Sequence, residues 1–405
     1  MMAAGCGEVV SLSGGSVRLE GHLGLVPAPG GVRPVRIPLR HWSHFPPAAE
    51  ILRAVSSAAS GVRLRMETTG SRLTLRVRCT RIQIGDIPGP RNQFVAQVEG
   101  VTVAIAEAPV DHTLYVSIAG EEASNVPSSD SSLVEFGPLP GGEKTVTVFL
   151  PQGMIIDLLD VSSDAPVFAA APSGQPVWIH HGSSISHCVE PELPTSVWPV
   201  VSAAIAGLDV INLGFGGQCM LDPFVADSIA ATPADVVSIK VGVNIVGARS
   251  MDQRTFVPAL HGFLDRVRRG HPETPIVLAS SILWPGSDDV PGPSDVEFLA
   301  NGGIRCHTNG DPADVAKGAL TLATSRGHVE HVVNVRRNAG ENIAYLDGFA
   351  LYGPNDLPRY PLPDSLHPDA DLYAEMGRRF AHFVFGENGL VPRSTLGRRS
   401  GGTGA

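Results

Sequence analysis

The residues in this sequence most able to do chemistry are serines that follow a short apolar run near the middle of the chain. The run at 177–181 reads Val-Trp-Ile-His-His and breaks into Gly182, Ser183 and Ser184. Such a run predicts a buried strand, and a glycine permits a sharp turn after it. Open α/β sheets hold their ligands at the carboxyl ends of strands. The pattern therefore predicts that the hydroxyl of Ser184 is presented at the edge of a sheet.

Three further blocks downstream supply the groups that such a hydroxyl needs. A glycine-rich turn with Gly217 follows a second apolar strand, and Asn244 follows a third strand. Asp364 and His367 lie three positions apart ahead of a helical pattern, so one turn can place both side chains on one side. The order of serine, glycine, asparagine and Asp-x-x-His at successive strand ends predicts one hydrolytic site.

The chemistry of these groups is that of nucleophilic catalysis. A serine hydroxyl is a poor nucleophile unless a base within hydrogen-bond reach takes its proton. His367 is the candidate base, and Asp364 would fix its tautomer and stabilise the imidazolium that forms. Candidate donors to the developing oxyanion are the N–H of Ser184, the N–H of Gly217 and the side-chain amide of Asn244. We expect an acyl-serine intermediate that is released to water or to an acceptor hydroxyl.

Each of these residues also has an ordinary structural explanation. Asn244 is a candidate helix N-cap, and the glycines are candidate turn formers. Asp364 is a candidate residue of the loop before a helix that Asp369 caps. Taken singly, each structural explanation is favoured. Their joint occurrence in this order favours catalysis.

The four blocks together resemble the SGNH/GDSL family of serine esterases and acyltransferases. The first block of that family is usually Gly-Asp-Ser; here Ser183 replaces the aspartate, and the nucleophile position, Ser184, is kept. The resemblance implies that Gly217 is the oxyanion-hole glycine and Asn244 the oxyanion-hole asparagine, and the Asp-x-x-His block is unchanged. It also implies a flavodoxin-like three-layer α/β domain with a parallel sheet.

Length and patterning predict two globular domains and a tail. The chain has 405 residues, of which 43% are hydrophobic and 17% charged, a composition that builds a sizeable core. Alternating residues with Gly and Pro turns before about residue 160 predict an all-β, jelly-roll-like sandwich. We predict a β-sandwich resembling a carbohydrate-binding module at 1–168, the catalytic α/β domain at 176–388 and a disordered tail at 389–405.

Composition and local patterns argue against a nucleic-acid surface, a membrane span, a disulfide framework and a zinc motif. The formal charge of −10 and the lack of a basic stripe argue against a nucleic-acid surface. The apolar runs are too short for a membrane span, and no signal-peptide pattern is visible, so we expect a cytoplasmic protein. Five widely spaced cysteines predict reduced thiols. His180, His181 and His187 lack the spacing of a zinc motif, and we expect no metal and no resident cofactor.

Two enzymatic activities and one binding function fit these features. The triad supports hydrolysis of small acyl esters by a carboxylesterase or deacetylase, and it supports acyl transfer where the pocket excludes water. The favoured prediction is transfer from a small-molecule donor, with acyl-CoA as co-substrate, to a hydroxyl of a natural-product acceptor. Three features favour transfer: the expected cytoplasmic location, a long irregular stretch at 286–311 that is typical of a lid or pocket wall, and a resemblance to transferases of aryl groups such as salicylyl. A non-catalytic binding protein would show a broken triad, and no triad member is missing here.

Overall fold

A computed structural model of the protein describes residues 7–84, 92–117, 123–300 and 302–397. The N-terminal part consists mainly of strands, whereas strands and helices alternate along the chain from Val177 onward. Among the described residues, no helix combines the length and the apolar character that crossing a bilayer requires. The thiols of Cys79, Cys188, Cys219 and Cys306 are free, and Cys6 lies outside the described residues.

The N-terminal part folds as two sheets whose strands pair mostly antiparallel. Its elements are β1 (Glu8–Leu12), β2 (Gly15–Glu20), β3 (Gly24–Ala28), β4 (Gly31–Val35), α1 (Glu50–Ser57), β5 (Arg63–Thr68), β6 (Leu73–Ile84), β7 (Gln93–Val98), β8 (Val101–Glu107), β9 (His112–Val116), β10 (Ala123–Pro127), β11 (Ser132–Phe136), β12 (Lys144–Phe149), β13 (Met154–Ser163) and β14 (Phe168–Ala169). Among the described strands, one sheet has the order β1-β2-β5-β12-β7-β8 with β14 beside β5. The other has the order β10-β9-β6-β13-β4-β3 with β11 beside β6.

Apolar side chains at alternate positions fill the space between these two sheets. Leu64 and Met66 of β5 and Leu75 and Val77 of β6 are all fully buried in one cluster. Successive residues of a strand point to opposite faces, so strict alternation in the sequence places one face of each strand in the core. The predicted β-sandwich is confirmed.

The C-terminal part builds a parallel sheet covered by helices. Its elements are β15 (Val177–Gly182), α2 (Ser184–His187), α3 (Trp198–Ala206), β16 (Asp209–Gly214), α4 (Pro223–Ala230), β17 (Val236–Lys240), α5 (Val243–Gly247), α6 (Gln253–Gly270), β18 (Ile276–Ala279), β19 (Ser294–Phe298), β20 (Ile304–Thr308), α7 (Leu322–Asn338), β21 (Ile343–Leu346) and α8 (Ala370–Phe380). Short 3₁₀ helices lie at Leu39–His44, Pro194–Ser196, Pro312–Lys317, Gly348–Ala350, Pro354–Asp356 and Arg393–Thr395, and a π-helical turn lies at Ala381–Phe385.

The order of the parallel strands fixes where a ligand can bind. The sheet runs β16-β15-β17-β18-β21, and each neighbouring pair is parallel. Counted along the chain from β15, this is the order 2-1-3-4-5 of flavodoxin-like sheets, which open a crevice where the order reverses. The reversal lies between β15 and β17. The flavodoxin-like prediction is confirmed, and the crevice falls at the strand that leads to Ser184.

Helices cover both faces of the sheet and complete three layers. Helices α4, α6 and α7 contribute to one apolar cluster, and α3 and α8 contribute to the other. Helix α6 begins after Asp252, whose side chain accepts a hydrogen bond from the N–H of Thr255. Its buried stripe repeats at helical spacing, as its sequence predicts. The stripe consists of Phe256, Leu260, Phe263, Leu264 and Val267.

Arg36 connects the N-terminal part to the parallel sheet. Its buried guanidinium donates to the main-chain carbonyls of Asn212 at 3.0 Å and Gly214 at 2.7 Å, and to that of Ala58 at 2.7 Å. Burial lowers the pKa of Arg36 to about 9. Each of these buried carbonyl oxygens thereby accepts a hydrogen bond from a charged donor. The sandwich thus anchors the end of β16, which leads into the glycine-rich turn.

Two predicted segments need correction. The stretch at 286–311, expected to be irregular, contains the hairpin β19–β20, whose first strand is mostly exposed and therefore lacks an apolar alternation. The predicted disordered tail at 389–405 begins too early, because Val391 and Leu396 are buried and Arg393 donates to the carbonyl of Ala206 at 3.0 Å. Residues 398–405 lie outside the described residues.

The division of the chain at 1–168 and 176–388 stays a prediction.

Candidate active site

The turn after β15 places Ser184 at the carboxyl edge of the sheet. Every residue of β15 is buried, and the strand ends at Gly182. A Cβ at Gly182 would lie 2.3 Å from Oγ and 2.8 Å from Cβ of Ser186, so a glycine is required for this turn. Ser183 is buried, and its Oγ has no partner among the described residues. Ser184 begins α2 and is partly exposed, which makes it the accessible serine of the two.

Ser184, His367 and Asp364 form a continuous chain of hydrogen bonds. The distance from Ser184 Oγ to His367 Nε2 is 2.9 Å, and that from His367 Nδ1 to Asp364 Oδ2 is 2.6 Å. Because a carboxylate can only accept, Nδ1 carries the ring proton in the neutral imidazole. The lone pair of Nε2 therefore faces the Ser184 hydroxyl. The side chains of His367 and Asp364 are 20% and 15% exposed, so a substrate can reach them.

A tight turn brings Asp364 and His367 together. Oδ1 of Asp364 accepts hydrogen bonds from the N–H of Leu366 at 2.9 Å and of His367 at 2.6 Å. Ser365 has a φ of +68°, which is uncommon for a residue other than glycine and is concentrated at functional sites. Asp369 caps α8 by accepting from the N–H of Leu372, as the structural alternative predicted. Capping by Asp369 leaves the carboxylate of Asp364 free to bond the imidazole.

The negative charge of Asp364 and the positive charge of protonated His367 stabilise each other. Burial alone would raise the pKa of Asp364, but hydrogen bonds from His367 and from the turn N–H groups lower it to about 2. Burial disfavours protonated His367, yet the hydrogen bond to Asp364, a contact with the thiol of Cys306 and the charge of Glu190 raise its pKa well above the usual value. The imidazole is therefore a stronger base than a free histidine.

The predicted oxyanion donors follow three strands of the parallel sheet: Ser184 begins α2, Gly217 lies in the turn after β16, and Asn244 is the second residue of α5. Oδ1 of Asn244 accepts from the N–H of Cys219 at 3.1 Å, which leaves its amide Nδ2 to donate elsewhere. Gly217 has a φ of +70° with open space at its Cβ position, and a Cβ at Gly216 would lie 3.9 Å from Ser184 Cα. Among the described residues, no acceptor is found for the N–H of Ser184 or of Gly217. Asn244 is not a helix cap, because Gly242 occupies the N-cap of α5.

Replacing Asn244 by alanine is expected to lower kcat about a hundred- to a thousand-fold, because the predicted side-chain donor to the oxyanion is lost. Steady-state kinetics with an activated ester would measure the loss, and KM should change little. Asn244→Asp keeps the acceptor for the N–H of Cys219 but removes the amide donor. Activity retained in Asn244→Asp would show that the side chain only positions the loop.

The three histidines near Ser184 serve the structure. His180 joins Ser238 through Nδ1 at 2.7 Å and Ser186 through Nε2 at 2.8 Å, and its pKa is lowered by burial. The ring of His181 bonds the carbonyl of Leu213 at 2.8 Å, and that of His187 bonds the carbonyl of Gln152 at 2.9 Å. His180 and His181 lie on β15 and His187 lies on α2, and their hydrogen bonds brace the strand and the helical turn that present Ser184.

Two residues near the triad carry no signal in the sequence. Glu190 accepts a hydrogen bond from the hydroxyl of Tyr373 at 2.9 Å, and burial raises its pKa. Cys306 lies on β20 with Sγ 3.7 Å from Oδ2 of Asp364. Each is a single residue in a segment without a motif, so no spacing rule could have identified it.

Glu190→Gln is expected to move the acidic limb of the kcat/KM profile to lower pH. As the predicted base, His367 must be unprotonated to act, and its raised pKa places this limb above pH 6.5. The charge of Glu190 stabilises protonated His367, so removing the charge lowers that pKa and the base form persists into more acidic solution. Glutamine can still accept from Tyr373. The matched control is Glu192→Gln, at an exposed neighbouring carboxylate, which should leave the limb in place; equal shifts in both variants would contradict the assignment.

Comparison with known proteins identifies the family of the region that carries this site. Residues 181–375 match the profile of the GDSL-like Lipase/Acylhydrolase family. This region is a GDSL-family domain. The resemblance of the four sequence blocks is confirmed, and the chain is an enzyme of the serine esterase and acyltransferase class. No curated protein sequence matches the chain.

Solved structures extend the likeness across both parts of the chain. A salicylyl-acyltransferase from a tetracycline biosynthetic pathway is 25% identical, with a TM-score of 0.72 over 92% of this chain and 95% of that one. A protein from Bacteroides ovatus ATCC 8483 described as a GDSL-like lipase is 14% identical, with a TM-score of 0.62 over 89% and 93%. A family two carbohydrate esterase from Clostridium thermocellum is 14% identical, with a TM-score of 0.57 over 90% and 96%. The two-part architecture of this chain therefore occurs in other proteins.

Proposed function

We propose that the protein is an acyltransferase that works through an acyl-Ser184 intermediate. The donor is a small-molecule thioester, acyl-CoA, carrying an aryl acyl group such as salicylyl. The acceptor is a hydroxyl of a natural product. The observation that carries the catalytic part of the proposal is the hydrogen-bond chain at 2.9 Å and 2.6 Å from Ser184 through His367 to Asp364.

The geometry supports a two-step reaction. In the first step, Nε2 of His367 takes the proton of Ser184, and Oγ attacks the thioester carbonyl. The oxyanion accepts hydrogen bonds from the N–H groups of Ser184 and Gly217 and from the amide of Asn244. The tetrahedral intermediate then expels the thiolate, which receives the proton from His367. In the second step, His367 deprotonates the acceptor hydroxyl, whose oxygen attacks the acyl carbon. The intermediate then expels Oγ of Ser184, which receives the proton from His367 and restores the free enzyme.

Transfer is favoured by the likeness to the salicylyl-acyltransferase. That likeness spans 92% of the chain at 25% identity, whereas the lipase and esterase structures are similar at fold level. The hairpin β19–β20 also supports transfer, because β20 places Cys306 against Asp364 and so lies beside the triad. An element in that position can limit the access of water to an acyl-enzyme.

Hydrolysis of small acyl esters is the second candidate. The observation that favours it is the partial exposure of the Asp364 and His367 side chains, through which water can reach the acyl-enzyme. The chemistry is the same as in transfer, with water in place of the acceptor hydroxyl.

The two candidates differ in the fate of the acyl group. The protein would be incubated with aryl- and alkyl-CoA thioesters, with and without polyketide or sugar alcohols, and the products identified by mass spectrometry. Transfer predicts an acylated acceptor whose formation competes with release of free acid. If added alcohols never change the product while p-nitrophenyl acetate is turned over well, the protein is a hydrolase.

The N-terminal part supports the candidate site through hydrogen bonds to α2 and β16. Oγ of Ser60 donates to the carbonyl of His187 at 2.8 Å, and the amide of Asn212 donates to Oγ of Ser60 at 2.9 Å. Together with Arg36, these bonds brace the end of α2, the helix that Ser184 begins, and the end of β16. We therefore propose that the N-terminal part supports the site and helps to shape the pocket. A cytoplasmic location stays a prediction.

A further inference from the structure

A thiol lies against the catalytic carboxylate. Cys306 is 7% exposed, and its Sγ is 3.7 Å from Oδ2 of Asp364, the same oxygen that bonds Nδ1 of His367. The N–H of Cys306 donates to the carbonyl of Asp364 at 2.7 Å, which fixes strand β20 beside the triad. The mechanism above uses Asp364 and His367 but assigns no step to the thiol.

These three side chains offer the ligand types of a zinc site. One ligand atom from each of Cys306, Asp364 and His367 lies within 4.8 Å of the others. Zinc binds sulfur at about 2.3 Å and nitrogen or oxygen at about 2.0 Å in a tetrahedron, so its sulfur and oxygen ligands stand roughly 3.5 Å apart. The observed separation of Sγ and Oδ2 is 3.7 Å. The contact of 2.6 Å between Nδ1 and Oδ2 would widen to roughly 3.3 Å, which a small rotation of the imidazole allows.

We propose that Cys306, Asp364 and His367 form a binding site for Zn²⁺ or another thiophilic divalent cation, and that an occupied site silences the triad. The cation binds the thiolate of Cys306, the carboxylate of Asp364 and Nδ1 of His367, with water as the fourth ligand. The thiol proton leaves to solvent. The imidazole stays neutral and moves its proton from Nδ1 to Nε2. No electron transfer is involved.

Inhibition follows from the change of tautomer. A proton on Nε2 removes the lone pair that would accept the hydroxyl proton of Ser184, so the nucleophile is not activated. Hard cations such as Mg²⁺ prefer all-oxygen ligand sets and should not inhibit. The metal-binding part of the inference is independent of catalysis, whereas the silencing part rests on the proposed function.

Cobalt absorption tests binding without reference to activity. Co²⁺ added to chelator-treated protein should give thiolate-to-cobalt absorption in the near ultraviolet. The band should persist in Ser184→Ala, whose substitution removes no ligand, and in the control Cys79→Ser, which removes a thiol of the sandwich. It should disappear in Cys306→Ser. A wild-type protein without the band, or a band retained in Cys306→Ser, overturns the inference.

Zinc titration of esterase activity tests the silencing. The activity of each variant is expressed relative to the activity of that same variant in the presence of a chelator. The half-inhibiting Zn²⁺ concentration in Cys306→Ser should rise at least about tenfold over wild type and Cys79→Ser, because one ligand is lost. Equal sensitivity in all three overturns the proposal. If Cys306→Ser fails to fold, a labelling experiment on the wild-type protein replaces it. Zn²⁺ should protect Cys306 from alkylation by iodoacetamide, which mass spectrometry detects. Alkylation of Cys306 at an equal rate with and without Zn²⁺ overturns the inference.

The outcomes separate this inference from the proposed function. A cobalt band together with full esterase activity in Ser184→Ala would refute the mechanism and leave the metal site standing. Fluorophosphonate labelling of Ser184 without a cobalt band would refute the metal site and leave the mechanism standing.

Discussion

Ser184→Ala is expected to lower kcat/KM for an activated ester by about 10⁴-fold or more, because the acyl-enzyme cannot form without the nucleophile. The Oγ of Ser184 is 2.9 Å from Nε2 of His367, and the residue is partly exposed, so it is placed to react. The residual rate would come from binding and from the oxyanion donors alone. Steady-state kinetics measures the loss, and a fluorophosphonate should label wild-type Ser184, detected by mass spectrometry.

The neighbouring serine supplies a matched control. Ser183 is buried and makes no hydrogen bond through its Oγ to the described residues, so Ser183→Ala should stay within a few-fold of wild-type activity and should still be labelled at Ser184. Full activity in Ser184→Ala, or labelling at position 183 in wild type, would show that the nucleophile is a different group.

Local patterns in the sequence predict much of the fold. The alternation in β5 and β6 and the helical stripe of α6 each follow from side chains that face one core, and the structure buries Leu64, Leu75 and Phe263 accordingly. Order along the chain also predicts the parallel sheet, because its strands alternate with helices. The hairpin β19–β20 was not predicted, because a short strand that is exposed on both faces shows no alternation of apolar and polar residues.

Some residues of the candidate site could likewise be predicted from the sequence, and others could not. Ser184, Asn244 and His367 could be predicted because each belongs to a block with a fixed position relative to a strand or turn. The role of Arg36 could not be predicted, because its contacts with Asn212 and Gly214 join residues that are 176 and 178 positions apart. Such contacts depend on how the sandwich sits on the sheet, which is a property of the packed chain and leaves no local pattern.

Asp364→Asn is expected to lower kcat/KM by about 10⁴-fold although the turn is kept. The carbonyl oxygen of asparagine can still accept from the N–H groups of Leu366 and His367. Its NH₂ group would then face Nδ1 of His367 and donate to it. The imidazole would carry its proton on Nε2 and could not accept the proton of Ser184. Kinetics with an activated ester measures the loss, and circular dichroism checks that the fold is retained.

The control for this variant is Asp369→Asn, at the cap of α8. Asparagine caps helices about as well as aspartate, so stability and activity should both stay close to wild type. A loss of similar size in both variants would mean that Asp364 acts through the integrity of the loop before α8. A loss confined to Asp364→Asn would show that its contribution is the orientation and charge of the imidazole, which the 2.6 Å bond between the two side chains provides.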